Sequence, residues 1–160
     1  MPCALGLILL VEHELRRFVL DLNNDMKNNP FEDSALTTIL VVSDMSRSKS
    51  FYVDVLGATV FREYGGDSLV LEFLGNWILL VTPGGPSSDK PDTHFKAPMN
   101  KNIVSHAFTI RVKDCSRSYT ILKQNGAEFI TPPMARGAET RCFFYDPDGH
   151  LFEISEYREA

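Results

Sequence analysis

Glu153 is the residue of this chain whose type and setting point most directly to chemistry. It closes the run Asp146-Pro147-Asp148-Gly149-His150-Leu151-Phe152-Glu153. Pro147 suits the second position of a tight turn and Gly149 supplies the unusual φ that closes it, so the run reads as a hairpin tip. On the outgoing strand, period-two alternation puts Leu151, Glu153 and Ser155 on one face and Phe152 and Ile154 on the other. A carboxylate among apolar neighbours has its pKa raised by desolvation, which suits general-base work, and lowered by a nearby cation. The remaining reactive side chains carry weaker signals. Cys115 and Cys142 fall on a helix start and a strand, where buried packing outranks a nucleophile, and His94 and His150 read as exposed polar residues of a loop and a turn.

The elements that hold these residues are periodic from Ala35 onward. Leu36 to Val42 forms a strand, Asp44 caps a helix over Met45 to Leu56, and Gly57 ends it. That helix pairs Phe51 with Val55 and Tyr52 with Leu56 at i, i+4. Strands follow over Thr59 to Tyr64, Ser68 to Leu74 and Trp77 to Thr82, separated by Gly65-Gly66-Asp67 and Gly75-Asn76. After a Pro/Gly/Ser-rich connection over 83–102, a linker or lid, the unit restarts. Val42-Ser43-Asp44-Met45-Ser46-Arg47-Ser48 is echoed by Val112-Lys113-Asp114-Cys115-Ser116-Arg117-Ser118, and Gly57-Ala58 by Gly126-Ala127. The second copy has a strand over His106 to Val112, a helix over Cys115 to Gln124, and strands near Glu128 to Thr131, Glu139 to Tyr145 and Leu151 to Tyr157. The fold class is therefore α+β. Two βαβββ modules, over 35–82 and 103–160, form a curved mixed sheet around a cavity, with one compact domain from 35 to 157. Each copy alone would leave a sheet face unburied, so the two must pack together.

Composition narrows the function. A chain of 160 residues, 44% hydrophobic, suits one globular unit. A net charge of -5 without any Lys/Arg cluster argues against nucleic acid. Three widely spaced cysteines give no disulfide framework and fit a reducing, cytoplasmic setting. The apolar run Ala4 to Val11 is too short to span a membrane. Residues 4–22 have the pattern of an amphipathic helix within an N-terminal extension over 1–34.

The paired βαβββ units, Val42-Ser43-Asp44, Phe51-Tyr52-Val53-Asp54-Val55-Leu56-Gly57 and the Asp146-Pro147-Asp148-Gly149 hairpin with Glu153 together resemble the vicinal oxygen chelate superfamily. Its members include glyoxalase I, bleomycin-resistance proteins, extradiol dioxygenases and fosfomycin-modifying enzymes. The resemblance covers about residues 35 to 157 and speaks to fold more than to reaction. It implies four metal-ligand positions, occupied here by Thr37, Leu79, Ala107 and Glu153. Three of these cannot serve as ordinary ligands, so no metal centre is expected, with Glu153 and His106 as the weak candidates for a divalent ion, which stays open. His106 lies one position before Ala107 and should face away from the cavity unless a β-bulge shifts the register.

With the first strand of each module turned inward as the resemblance implies, Thr37, Ile39, Trp77, Thr109, Arg111 and Leu151 become substrate-binding residues around a catalytic Glu153. Arg111 and Glu153 either pair with each other, or Arg111 holds a substrate carboxylate while Glu153 accepts a proton. Arg136 and Arg141 read as solvated, and Asp89, Lys90, Asp92, His94 and Lys96 as loop residues that a lid could bring over a ligand. The expectation is a glyoxalase/bleomycin-resistance-like protein that binds a small organic molecule, with no cofactor and with pairing into a homodimer. A glyoxalase-type lyase or isomerase using Glu153 as base, and a non-catalytic scaffold, are the alternatives.

Overall fold

The computed structural model describes residues 34–157, so the helix expected over residues 4–22 lies outside the described residues. From Thr37 onward the chain forms one compact unit. Its first half runs β1 (Thr37–Val41), α1 (Met45–Ser50), β2 (Thr59–Tyr64), β3 (Ser68–Phe73) and β4 (Asn76–Val81). Its second half runs β5 (Ala107–Arg111), α2 (Cys115–Gln124), β6 (Glu128–Phe129), β7 (Met134–Arg136), β8 (Glu139–Tyr145) and β9 (Leu151–Tyr157). Each half builds its own mixed sheet, ordered β1-β4-β3-β2 in one and β5-β9-β8-β6 in the other, with β7 pairing β8. In both, the first strand runs parallel to the last, a pairing that requires a long crossover and explains why a helix follows the first strand of each repeat. The repeated Asp caps both helices: Asp44 accepts from the Arg47 N–H at 2.9 Å and Asp114 from the Arg117 N–H at 2.8 Å.

Two elements depart from the sequence pattern. The helix expected over Met45 to Leu56 is α-helical only to Ser50, and Phe51–Val55 is wound as a π-helix. Leu56 N–H reaches Phe51 O at 3.2 Å and Ala58 N–H reaches Tyr52 O at 2.8 Å. The adjacent rings Phe51 and Tyr52 are both buried, at 9% and 0% exposure, and stand edge to face. Burying two consecutive aromatics overrides the i, i+4 pairing that an α-helix would give. The strand expected near Glu128 to Thr131 is instead cut to β6, Glu128–Phe129, and the additional short strand β7 follows at Met134–Arg136. Pro132 and Pro133 lie between them, and proline has no N–H to offer a strand ladder.

The strands alternate as period two requires. Leu40, Val42, Leu69, Leu71, Ile78 and Leu80 of the first sheet, with Phe144, Phe152 and Ile154 of the second, fall in one buried cluster with Phe51 and Tyr52. Rings join the modules directly, Tyr52 against Phe152 with centroids 6.2 Å apart and Phe51 against Phe144 at 6.4 Å. The connection after β4 is ordered by its own bonds: Gly84 bridges Phe95, Ser87 bridges Lys90, and Lys90 Nζ donates to Gly85 O at 2.8 Å.

Candidate functional site

The Asp146–Gly149 turn fastens the modules together before it does anything else. Asp146 Oδ1 accepts the N–H groups of Asp148 at 3.0 Å and His150 at 2.8 Å, which shapes the turn. Its Oδ2 accepts the Tyr52 hydroxyl at 2.8 Å across the module boundary. Burial pushes the Asp146 carboxyl up, against the His150 charge and these donors, and burial together with Asp146 pushes the Tyr52 phenol well up. Asp148 takes Ser43 N–H at 2.8 Å, the Ser43 hydroxyl, the Ser48 hydroxyl at 2.8 Å and Arg47 Nη2 at 3.1 Å. Its side chain is 2% exposed. Burial opposes its ionisation, but the serine hydrogen bonds and the arginine outweigh that and hold the carboxyl below its usual range. This clamp is absent from the sequence reading because its partners stand about a hundred residues away.

His150 is buried, with 5% exposure, and corrects the expectation of an exposed turn residue. Its Nε2 lies 3.0 Å from Val41 O on β1, so the ring bridges the modules where an exposed tip was expected. Next to it runs a cavity of about 420 Å³, lined by Ile39 and Val41 of β1, His106, His150, Leu151, linker residues that include Lys96 and Met99, and residues 103–105 just before β5. Gly149 holds the linker there. A Cβ on this glycine would meet Lys101 Cβ at 3.0 Å, and its φ of +94° suits glycine alone. A larger hollow of about 790 Å³ lies beside Arg47, Phe51, Lys101, Glu128 and Tyr145, where Arg47 pairs with Asp148 and the Lys101 ammonium lies over the Tyr145 ring.

Of the residues expected to bind substrate, Ile39 and Leu151 line the smaller cavity, whereas Thr37, Trp77, Thr109 and Arg111 do not. Trp77 packs edge-on against Phe61 at 4.9 Å. His106 keeps the parity of Phe108, which its ring meets edge-on, so no bulge turns it towards Glu153, yet it reaches the cavity from its own side. Glu153 lies two residues past Leu151, on the same face and opposite Thr109 in the parallel ladder. It is 8% exposed, and Thr109 Oγ1 donates to its Oε2 at 2.6 Å. The expected pair with Arg111 is not formed. Arg111 Nη1 binds Glu139 Oε1 at 2.7 Å and Ser155 Oγ at 2.8 Å, and Arg141 Nη1 stands nearest to Glu153, 3.5 Å from Oε1. Arg141, expected in solvent, therefore belongs to this cluster. It sits opposite Ser155 on β8, which places its guanidinium over the Glu153 face, a pairing visible only once strands β8 and β9 are in register. The hydrogen bond from Arg111 holds the Glu139 carboxyl below its usual range and raises Arg111 in turn.

Glu153 Oε1 and His150 Nδ1 are the buried side-chain atoms, among the described residues, that find no hydrogen-bond partner. Cys115 and Cys142 offer no nucleophile: burial, with Cys115 adjacent, pushes the Cys142 thiol up to about 12, and burial raises Cys115 as well. At the metal positions the resemblance implies, Leu79 and Ala107 have no donor atom and Thr37 offers a neutral hydroxyl, which leaves one carboxylate where three or four donors are needed. No three His, Cys, Asp or Glu side chains converge among the described residues. The residues present do not fit the ion.

Paired βαβββ modules with a cavity at their junction define a small α+β scaffold of one recognisable class. The chain belongs to the glyoxalase/bleomycin resistance protein/dioxygenase superfamily, whose sequence model matches residues 34–154. Among solved structures, a glyoxalase/bleomycin resistance protein/dioxygenase from Alicyclobacillus acidocaldarius is similar at 21% identity and a TM-score of 0.59, over 82% of this chain and 96% of that one. The fosfomycin resistance protein FosX from Listeria monocytogenes is similar at 18% identity and 0.60, over 79% and 94%. A lactoylglutathione lyase from Agrobacterium tumefaciens is similar at 16% identity and 0.58, over 78% and 93%. At these identities the likeness is one of fold. No match was found among curated proteins. No helix of the described residues is long and apolar enough to cross a membrane.

Proposed function

We propose that this protein binds a small organic molecule in the cavity between its modules and does so without a divalent metal centre. The observation that carries this reading is the 420 Å³ cavity, walled by Ile39, Val41 and Leu151 with a few polar groups, a size and character typical of small-molecule sites. Two structural neighbours named for fosfomycin resistance and for lactoylglutathione lyase support a small-molecule role for the scaffold. Native mass spectrometry of protein purified without chelator is expected to show a bound organic mass that Ile39→Trp, which fills the cavity from the β1 side, abolishes. Calorimetric titration with zinc, nickel and manganese is expected to show no tight stoichiometric uptake. One equivalent of metal bound with a large rise in Tm sinks the metal-free reading.

One observation favours chemistry as well as binding. One strand residue, Phe152, separates Leu151 at the cavity wall from Glu153, a step of about 7 Å, and Glu153 Oε1 is buried without a hydrogen bond, with Arg141 Nη1 3.5 Å away. A carboxylate so placed, its other oxygen fixed by Thr109, can take a proton from a ligand that extends along this face. Any lyase or isomerase activity of the protein is then expected to fall by about 100-fold or more in Glu153→Gln. Unchanged turnover in that variant ends the catalytic reading and leaves the binding one.

A further inference from the structure

We infer that Arg141 is the anion-recognition residue of the sheet face formed by β5, β9 and β8, and that the ligand it holds is an organic acid whose carboxylate takes the guanidinium fork. The inference rests on the binding role proposed above and adds the ligand's chemistry to it. Strand register places the side chain. Arg141 on β8 is the ladder partner of Ser155, and alternation along β9 puts Ser155, Glu153 and Leu151 on one face. Arg111 on β5 is the other ladder partner of Ser155, so one row of this face carries two guanidiniums.

The two arginines differ in what their N–H groups meet. Arg111 Nη1 is hydrogen-bonded to Glu139 Oε1 at 2.7 Å and to Ser155 Oγ at 2.8 Å. Arg141 Nη1 stands 3.6 Å from Glu139 Oε2 and 3.5 Å from Glu153 Oε1, both longer than an N–H···O hydrogen bond. Each carboxylate is drawn to another donor, Glu139 to Arg111 and Glu153 to Thr109 at 2.6 Å. Arg141 therefore has carboxylates beside it but makes no hydrogen bond among the described residues, and 40% of its side chain is open to solvent. A guanidinium is charged at every working pH, and its planar fork meets a carboxylate with two parallel bonds. Two guanidiniums match the two glutamates of the cluster even when both are ionised, so an incoming anion meets no net like charge. The neighbours set the rest of the ligand. Arg141 Cζ lies 5.8 Å from the ring centroid of Phe143, and Leu151, about 7 Å along the face from Glu153, carries the same face to the cavity wall. An acid with an apolar body of one or two rings spans that step.

The test titrates 2-naphthylacetate and its neutral counterpart 2-naphthylacetamide into the full chain by calorimetry near pH 7, where the acid is ionised. Wild-type protein is expected to bind the acid about tenfold more tightly, against the trend of apolar transfer, which favours the amide. Arg141→Gln is expected to bind the amide as before and to lose the preference, and Arg141→Lys, which keeps the charge without the fork, to lose most of it. A readout on unmodified protein stands whether or not the variants fold: the Arg141 Nε–H resonance should shift on adding the acid and stay in place on adding the amide. Equal affinities in wild type, a preference that persists in Arg141→Gln, or an unmoved Arg141 resonance overturns the inference while leaving the cavity as a binding site. Binding of neither probe overturns it as well, and the bound organic mass sought by native mass spectrometry then decides the cavity reading separately.

Discussion

Asp146 and Asp148 stand two residues apart in one turn and have opposite electrostatic fates. Asp148, surrounded by hydroxyl and N–H donors and by Arg47, is held below the usual carboxylate range; Asp146, whose burial dominates, is held above it. A lowered folded-state value means that ionised Asp148 contributes stability at neutral pH, fully present above its unfolded value and lost as pH falls through its folded one. Asp146 works the other way, because its contribution is present in acid and lost as pH rises through its raised value. Asp148→Asn is therefore expected to lower stability by about 1–3 kcal/mol at pH 7. The deficit should shrink as pH falls below about 4. Urea melts at a series of pH values check this, and a deficit that is constant with pH contradicts it.

The Asp146–Gly149 turn and the linker are coupled elements. Gly149 lets the backbone of Lys101 approach the turn, and the linker so placed supplies one wall of the cavity. Gly149→Ala must put a side chain at φ +94° and push Lys101 aside by a few tenths of an ångström. A cost of about 1–3 kcal/mol is expected. Trypsin should also cut faster at Lys96 and Lys101 in this variant, since the linker loses its seat. Unaltered linker cleavage would place the wall elsewhere.

At the scale of the molecule, the two repeats share one core. Phe152 stacks on Phe108 at 4.9 Å and Phe144 at 5.4 Å and meets Tyr52 of the first module at 6.2 Å. Phe152→Ala should cost about 3–5 kcal/mol. Hydrogen exchange is expected to show β3 and β4 losing protection together with β8 and β9, because the cavity opens at the module boundary. Protection lost from the second sheet alone would show that the modules unfold independently.

Much of this architecture was legible in the sequence, and its limits have a physical basis. Strand alternation, the Asp44 and Asp114 caps and the 70-residue echo are local signals, set by steric periodicity and by hydrogen bonds spanning three residues, and they are enough to fix two βαβββ modules and the parity of Glu153 and His106. The residue types at Thr37, Leu79 and Ala107 likewise remove the ordinary metal donors whatever the detailed geometry. What the tertiary structure decided is which partner each polar group meets. Arg141, not Arg111, reaches Glu153; Asp148 reaches Ser43 and Ser48; and His150 turns inward to Val41. Those choices depend on register between strands and on contacts across a hundred residues of chain, where no local periodicity carries information, and they convert a turn that reads as an exposed tip into the clamp between modules and the polar edge of the cavity.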